Sequence, residues 1–104
     1  MQKWEVWLAK VAFEDNPSEA KERPVLVIDK KEAYIISFKM TSHKPREKFF
    51  GEYPIQFFHE AGLIKPTVIR LSKKLALLED EFTRKLGRLH PYDINEVIKI
   101  LNNL

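Results

Sequence analysis

The sequence predicts one mainly β domain, a small and strongly curved sheet finished by a carboxy-terminal α-helix. Three observations carry that expectation. Strand-length runs of β-branched and aromatic residues recur through the first nine-tenths of the chain, separated by turn-rich stretches. The clearest 3.6-residue apolar period lies at the carboxy end. The length of 104 residues suits a single domain, 1–104, and no repeat, low-complexity tract or linker interrupts it.

Residues 2–10 alternate as a strand, with Trp4, Val6, Leu8 and Lys10 on one face and Lys3, Glu5, Trp7 and Ala9 on the other. Tryptophans on opposite faces imply that neither face is simply solvated. Residues 13–23 contain Glu14-Asp15-Asn16-Pro17-Ser18 and form the longest predicted loop. Pro24 then opens a buried strand, Val25-Leu26-Val27-Ile28, at a first position where no ladder donor is needed. Residues 29–32 make a hairpin turn into a returning strand at 33–40. From Thr41 to Lys48 the chain is polar, basic and broken by Pro45, which reads as an exposed loop.

β character resumes at 49–58, turns at 60–62, and returns at 67–72 with an extension to Leu75 or Leu77. Residues 79–82 suit one helical turn before a last short strand at 85–89. The helix begins at Pro91, a residue suited to the first helical position, with His90 as its cap and Asp93 placing negative charge in the first turn. Ile94, Val97, Ile98, Leu101 and Leu104 share one face, which must dock on the sheet or on a second subunit.

Apolar residues make up 44% of the chain and charged residues 32%, an ordinary soluble composition. No apolar run approaches the roughly 20 residues of a membrane helix, and the amino terminus carries no apolar signal region. The expected location is the cytoplasm, with no membrane partner. Cysteine is absent, which excludes disulfides, thiol nucleophiles and cysteine-ligated metals. A net charge of +3 and a pI near 9.2 favour a nucleic acid or an acidic peptide as partner without distinguishing them.

The chain has no phosphate-binding glycine loop and no Gly-x-Ser-x-Gly elbow; Gly51, Gly62 and Gly87 stand apart. His43, His59 and His90 do not form a ligand motif, so no metal site and no cofactor is expected. What remains is a set of basic and hydroxyl residues at strand ends: Lys21 and Arg23, then Thr41-Ser42-His43-Lys44-Pro45-Arg46, then Arg70. Cleaving RNA without a metal asks for removal of the ribose 2′-hydroxyl proton, a proton for the leaving 5′-oxygen, and cations for the crowded phosphorane. Guanidinium forks suit the last task because they meet phosphate oxygens in pairs. The same residues also have plain structural uses. Arg23 can pair with Asp15 or Glu19, Thr41 and Ser42 can end a strand, and Arg70 can join a surface ion pair. Phe49-Phe50 and Phe57-Phe58 are candidates to stack bases or to pack a core or dimer.

Three stretches carry a family resemblance. Trp4-x-x-Trp7-Leu8-x-x-Val11-x-Phe13-x-Asp15 followed by Lys21-x-Arg23-Pro24-Val25-Leu26-Val27-Ile28 resembles the amino half of MazF/PemK-type toxins. Ala61-Gly62-Leu63 with Thr67-Val68-Ile69-Arg70 is similar to that family's glycine-leucine turn and following strand. Leu86-Gly87-Arg88-Leu89 and the amphipathic end are similar to its last strand and helix. The resemblance implies an SH3-like small β-barrel and a homodimer. It further implies a metal-independent, sequence-selective endoribonuclease acting on single-stranded RNA, held inactive by a cognate acidic antitoxin. The family's catalytic arginine matches Arg23, its catalytic threonine Thr41 with Ser42 beside it, and a second arginine Arg70. His43 is a candidate proton donor, since imidazole titrates near neutrality. Glu19, Lys21, Lys44, Arg46 and Lys48 are the candidate RNA-binding residues. Where some members carry an acidic residue two positions after the second arginine, this chain has Ser72. The alternative is a binding protein without catalysis, like the gyrase poisons of the same barrel. Those act through carboxy-terminal residues including a tryptophan, whereas both tryptophans here are amino-terminal.

Overall fold

A computed structural model describes residues 1–42 and 51–103. Six strands run in the order β1 (Glu5–Ala12), β2 (Ala20–Lys30), β3 (Ile35–Thr41), β4 (Glu52–Pro54), β5 (Val68–Leu77) and β6 (Phe82–Arg88). A 3-10 turn at Glu79–Glu81 joins β5 to β6, and helix α1 (Pro91–Asn102) closes the chain. The strands form one antiparallel sheet ordered β4-β5-β3-β2-β1-β6. The ladder is open, with β4 and β6 as its edges. The sheet nevertheless curls, because Tyr53 of β4 and Leu86 of β6 pack on the same core. Register shifts bend it in three pairings, twice between β1 and β6 and once each between β2 and β3 and between β3 and β5.

Strand boundaries depart from expectation where the backbone has a local reason. β1 starts at Glu5 rather than residue 2 because Trp4 adopts φ 75°, a left-handed conformation that no strand continues. Pro24 does not open β2 but sits inside it, opposite Leu8 of β1. Its missing N–H is tolerated because the β2–β3 ladder stops one residue later, at Val25–Lys39. The hairpin turn is set by mutual backbone bonds between Lys31 and Tyr34, so β3 begins at Ile35. Of the β run expected at 49–58, the described part is only the short β4; Phe49 and Phe50 lie outside the described residues.

Side-chain alternation gives the sheet an apolar cluster on each face. On one side Val6, Leu26, Phe38, Met40, Ile69 and Leu71 pack with Tyr53, Ile55, Leu63, Leu89 and Val97 of α1. On the other, Ala9, Val11, Val25 and Leu77 pack with Trp7, Leu75 and Phe82. Both faces of β1 are thus used: Trp7 packs on one cluster and Trp4, just before the strand, on the other. The helix docks on this chain's own sheet through Ile94, Val97, Ile100 and Leu101, while Ile98 is exposed. Leu104 lies outside the described residues.

Two buried features fix the segment after β4. Asp93 is fully buried and accepts hydrogen bonds from the Tyr53 hydroxyl and from the backbone N–H groups of Gln56 and Phe57, the latter two at 2.9 Å. Burial, and then the Asp93 bond and charge, push the Tyr53 phenol far above its usual range. The turn at Gly62 crosses β6 so closely that an added Cβ would lie 2.0 Å from the Leu86 carbonyl oxygen; one on Gly87 would lie 2.7 Å from the Ala61 carbonyl. Gly62 also has φ +83°. Each glycine therefore makes room for the other's backbone. Among the described residues no helix is long and apolar enough to cross a membrane.

Candidate active site

Strand alternation decides what β2, β3 and β5 present together. Val25 pairs with Lys39, and Lys39 in turn with Arg70; Thr41 pairs with Val68. Cross-strand partners share a face and residues two apart along a strand do too. Arg23 on β2, Lys39 and Thr41 on β3, and Arg70 on β5 therefore belong to one side of the sheet, at the end where these strands meet the loops.

Two hollows open there, and Arg23 lines both. The larger, about 380 Å³, is walled by Lys21, Arg23 and Pro24 of β2, Thr41 and Ser42 at the end of β3, Gly62–Lys65, Thr67, and Leu8, Arg84 and Leu86 of the β1–β6 edge. Its far wall exists because the Gly62–Gly87 crossing holds that turn against β6. The smaller, about 280 Å³, is lined by Phe13, Glu14, Asp15, Arg23, Lys39 and Arg70, with Val11 and Ala12 at its floor. The three residues expected to act together are thus divided. Thr41 stands in the larger hollow, Arg70 in the smaller, and Arg23 on their shared wall.

Arg23 is half-buried, and among the described residues no ion pair joins it to Asp15 or Glu19. The plain reading of that residue as a loop tie has no support in the geometry. For Arg70 the plain reading has some: its Nε lies 3.5 Å from Glu52 Oε2 on the neighbouring strand, with only 14% of the side chain exposed. That Nε lacks a well-aligned hydrogen bond in the protein. Ser72 is exposed in the stretch of β5 that skips its partner strand. Lys21 lines the larger hollow, whereas Glu19 is exposed and lines neither. His43, Lys44, Arg46 and Lys48 lie outside the described residues.

Three charged residues at the site escape a reading of the sequence alone. Glu14 Oε1 lies 3.4 Å from Lys39 Nζ and 3.6 Å from Lys73 Nζ. The charges of Lys39 and Lys73 hold the Glu14 carboxyl below the usual carboxylate range, with a smaller contribution from Arg70. Lys39 would look like an ordinary surface alternation between Phe38 and Met40; only the register reveals that it faces Arg70 across the ladder. A cleft lined by Lys21, Arg23, Lys65 and Arg84 together with the hydroxyl residues Thr41, Ser42 and Thr67 can hold a phosphodiester and counter charge that builds on it. Among the described residues, no three His, Cys, Asp or Glu side chains come together as they would around a metal ion.

Comparison with known proteins accords with this architecture. No curated protein sequence matches the chain. Among solved structures, Mycobacterium tuberculosis toxin MazF-mt6 superposes with a TM-score of 0.72 at 16% identity, over 95% of this chain and 93% of that one. An endoribonuclease in complex with its cognate antitoxin, from a mycobacterial species, superposes with a TM-score of 0.73 at 13% identity, over 99% of this chain and 92% of that one. At such identities the likeness speaks for the fold. The sequence itself matches a family model, described as PemK-like, MazF-like toxin of type II toxin-antitoxin system, across residues 2–104. The chain belongs to that family of toxins.

Proposed function

We propose that this toxin is a metal-independent, sequence-selective endoribonuclease that cuts single-stranded RNA in the larger hollow. The observation that carries the reading is Arg23, a half-buried residue that lines both hollows and shares the larger one with Thr41 and Ser42. Family membership supports it, as does the fold shared with a protein titled an endoribonuclease.

In the proposed reaction the ribose 2′-hydroxyl gives its proton to solvent water as its oxygen attacks the adjacent phosphorus. The new P–O2′ bond forms as the P–O5′ bond breaks. A proton is delivered to the departing 5′-oxygen, leaving a 2′,3′-cyclic phosphate and a 5′-hydroxyl. Arg23 bonds the equatorial oxygens of the phosphorane, where charge gathers, because a guanidinium with a pKa above about 12 is a charge stabiliser before it is a base. Thr41 and Ser42 donate hydrogen bonds that orient the phosphate, and Arg70 adds positive potential from the neighbouring hollow. His43, next to them in sequence, is the proposed acid. Lys21 contacts the RNA backbone from β2, with Lys44, Arg46 and Lys48 in support. Metal independence follows from assigning the stabilising charge to arginine.

The partner structure with a cognate antitoxin leads us to assign this chain an acidic antitoxin of its own, whose carboxylates meet the basic cleft. Its assembly as a homodimer and its location in the cytoplasm belong to the same proposal. The test is incubation of the purified protein with a long single-stranded RNA in the presence of a chelator. Discrete fragments are expected from the wild type. Arg23→Ala, checked for native folding by circular dichroism, should cut at least about 100-fold more slowly. Intact RNA with the wild type, or undiminished cleavage by Arg23→Ala, would count against the assignment.

A further inference from the structure

The smaller hollow is built at a cost that the fold alone does not explain. Lys39 and Arg70 are directly opposed across the β3–β5 ladder, a like-charge pairing that destabilises a sheet. Lys39 lies on a strand flanked by two others, and only 17% of its side chain is exposed. A mostly buried ammonium needs a close anion. The one it has among the described residues is Glu14, reached from the β1–β2 loop at 3.4 Å, well beyond the 2.7–2.9 Å of a strong charged hydrogen bond.

Lys73 converges on the same carboxylate through a second local irregularity. The β3–β5 register jumps from Phe38–Lys74 to Lys39–Arg70, so residues 71–73 have no partner on β3. Bulges of this kind re-aim side chains, and here the result is Lys73 Nζ 3.6 Å from Glu14 Oε1. Glu14 itself is 61% exposed and sits on the loop, so it can withdraw without disturbing the sheet. Glu52 remains beside Arg70, and Asp15 remains on the lining, but neither replaces Glu14 between the two lysines.

We propose that Lys39 and Lys73 form a second phosphate subsite beside the cleavage site, which a phosphodiester of the RNA enters by displacing the Glu14 carboxylate. The proposal rests on the ribonuclease reading and deepens it. Arg23 lines both hollows, so the proposal places consecutive phosphates of one strand on either side of it. In the empty protein both ammonium groups share the one oxygen Glu14 Oε1 at 3.4 and 3.6 Å, whereas the two non-bridging oxygens of a phosphodiester give each lysine its own acceptor. Glu14 is then an internal competitor. It occupies the two lysines in the empty protein, offsetting one of their two charges, and sets a threshold that RNA must exceed.

The experiment measures binding of short random-sequence 2′-O-methyl RNA, which cannot undergo 2′-oxygen attack, alongside cleavage of ordinary RNA. Glu14→Gln keeps the side-chain shape and removes the competing charge, so it should bind the methylated RNA about 3- to 10-fold more tightly and lower KM. Lys73→Gln, at a position exposed enough to preserve folding, should weaken binding by a similar factor. It should also reduce the slope of log affinity against log salt by about 0.7, the loss of one single-strand phosphate contact. Lys39→Met should do the same and should cancel the Glu14→Gln gain in the double variant. Unchanged or weaker binding by Glu14→Gln, or an unchanged salt slope in Lys73→Gln, overturns the subsite even if RNA is cleaved. Absence of cleavage by the wild type overturns the ribonuclease reading instead, so the two failures are separable.

Discussion

At the scale of single residues, Glu5 shows how a charge can be stable inside this sheet. Only 6% of it is exposed. Burial raises its carboxyl pKa, but Lys85 Nζ at 2.8 Å, the Gln2 N–H at 2.8 Å and the Trp7 indole N–H at 3.0 Å outweigh that effect. The net result is a fall from 4.5 to about 2. A carboxyl depressed in the folded state contributes stability that is whole above its unfolded pKa and is lost as pH drops towards its folded one. The window here runs from pH 4.5 down to 2. Across it, urea titrations of the wild type should lose about 2–3 kcal/mol more than those of Glu5→Gln. Parallel stability curves for the two proteins would contradict this account of Glu5. None of it was legible from alternation, which places Glu5 on a face but cannot supply a partner eighty positions away. Asp93 is legible only in part for the same reason: its charge in the first helical turn is foreseeable, whereas its burial against Tyr53, Gln56 and Phe57 depends on a turn that sequence reading does not place.

At the scale of elements, local chemistry was readable and long-range contacts were not. The start of α1 was clear because Pro91 and His90 act locally, and His90 Nδ1 does accept the Tyr92 N–H at 3.0 Å. The apolar period gives most of the helix face but puts Ile98 inward in place of Ile100, because the docking angle on a curved sheet is a tertiary property. The missing donor of Pro24 suits the head of a strand; the residue stands within β2 because the neighbouring ladder on one side has ended. Isolated glycines carry no motif, yet Gly62 and Gly87 interlock two elements. Gly62→Ala combines a positive φ with a backbone overlap and should destabilise by about 2–4 kcal/mol. In a domain of this size, that lowers Tm by roughly 10 °C or more. A calorimetric shift of only a degree or two would show that the crossing is looser than described. Loosening it also removes the far wall of the larger hollow, so RNA cleavage should fall with stability.

At the scale of the whole molecule, the succession of strands along the chain and the terminal helix are legible because each strand has its own apolar pattern and turn signals, whereas their order in the sheet is not. Nor is the open edge between β4 and β6, since closure is decided by curvature and register. Arg23, Thr41 and Arg70 were identified through family motifs, and the register places them on one side of the sheet. Their division between two hollows joined at Arg23 had no sequence signal. Nor did the Glu14–Lys39–Lys73 cluster, which requires a loop, a central strand and a bulge to meet. The architecture that results has a cleft of about 380 Å³ lined by Lys21, Arg23 and Arg84 together with Thr41 and Ser42. The proposed internal attack by the ribose oxygen at that cleft leaves its mark on the fragment ends: their chemical analysis should show 2′,3′-cyclic phosphate and 5′-hydroxyl termini from the wild type, in chelator, and their loss in Arg23→Ala. Fragments ending in 3′-hydroxyl and 5′-phosphate would contradict it, because they require water rather than the 2′-oxygen to attack phosphorus.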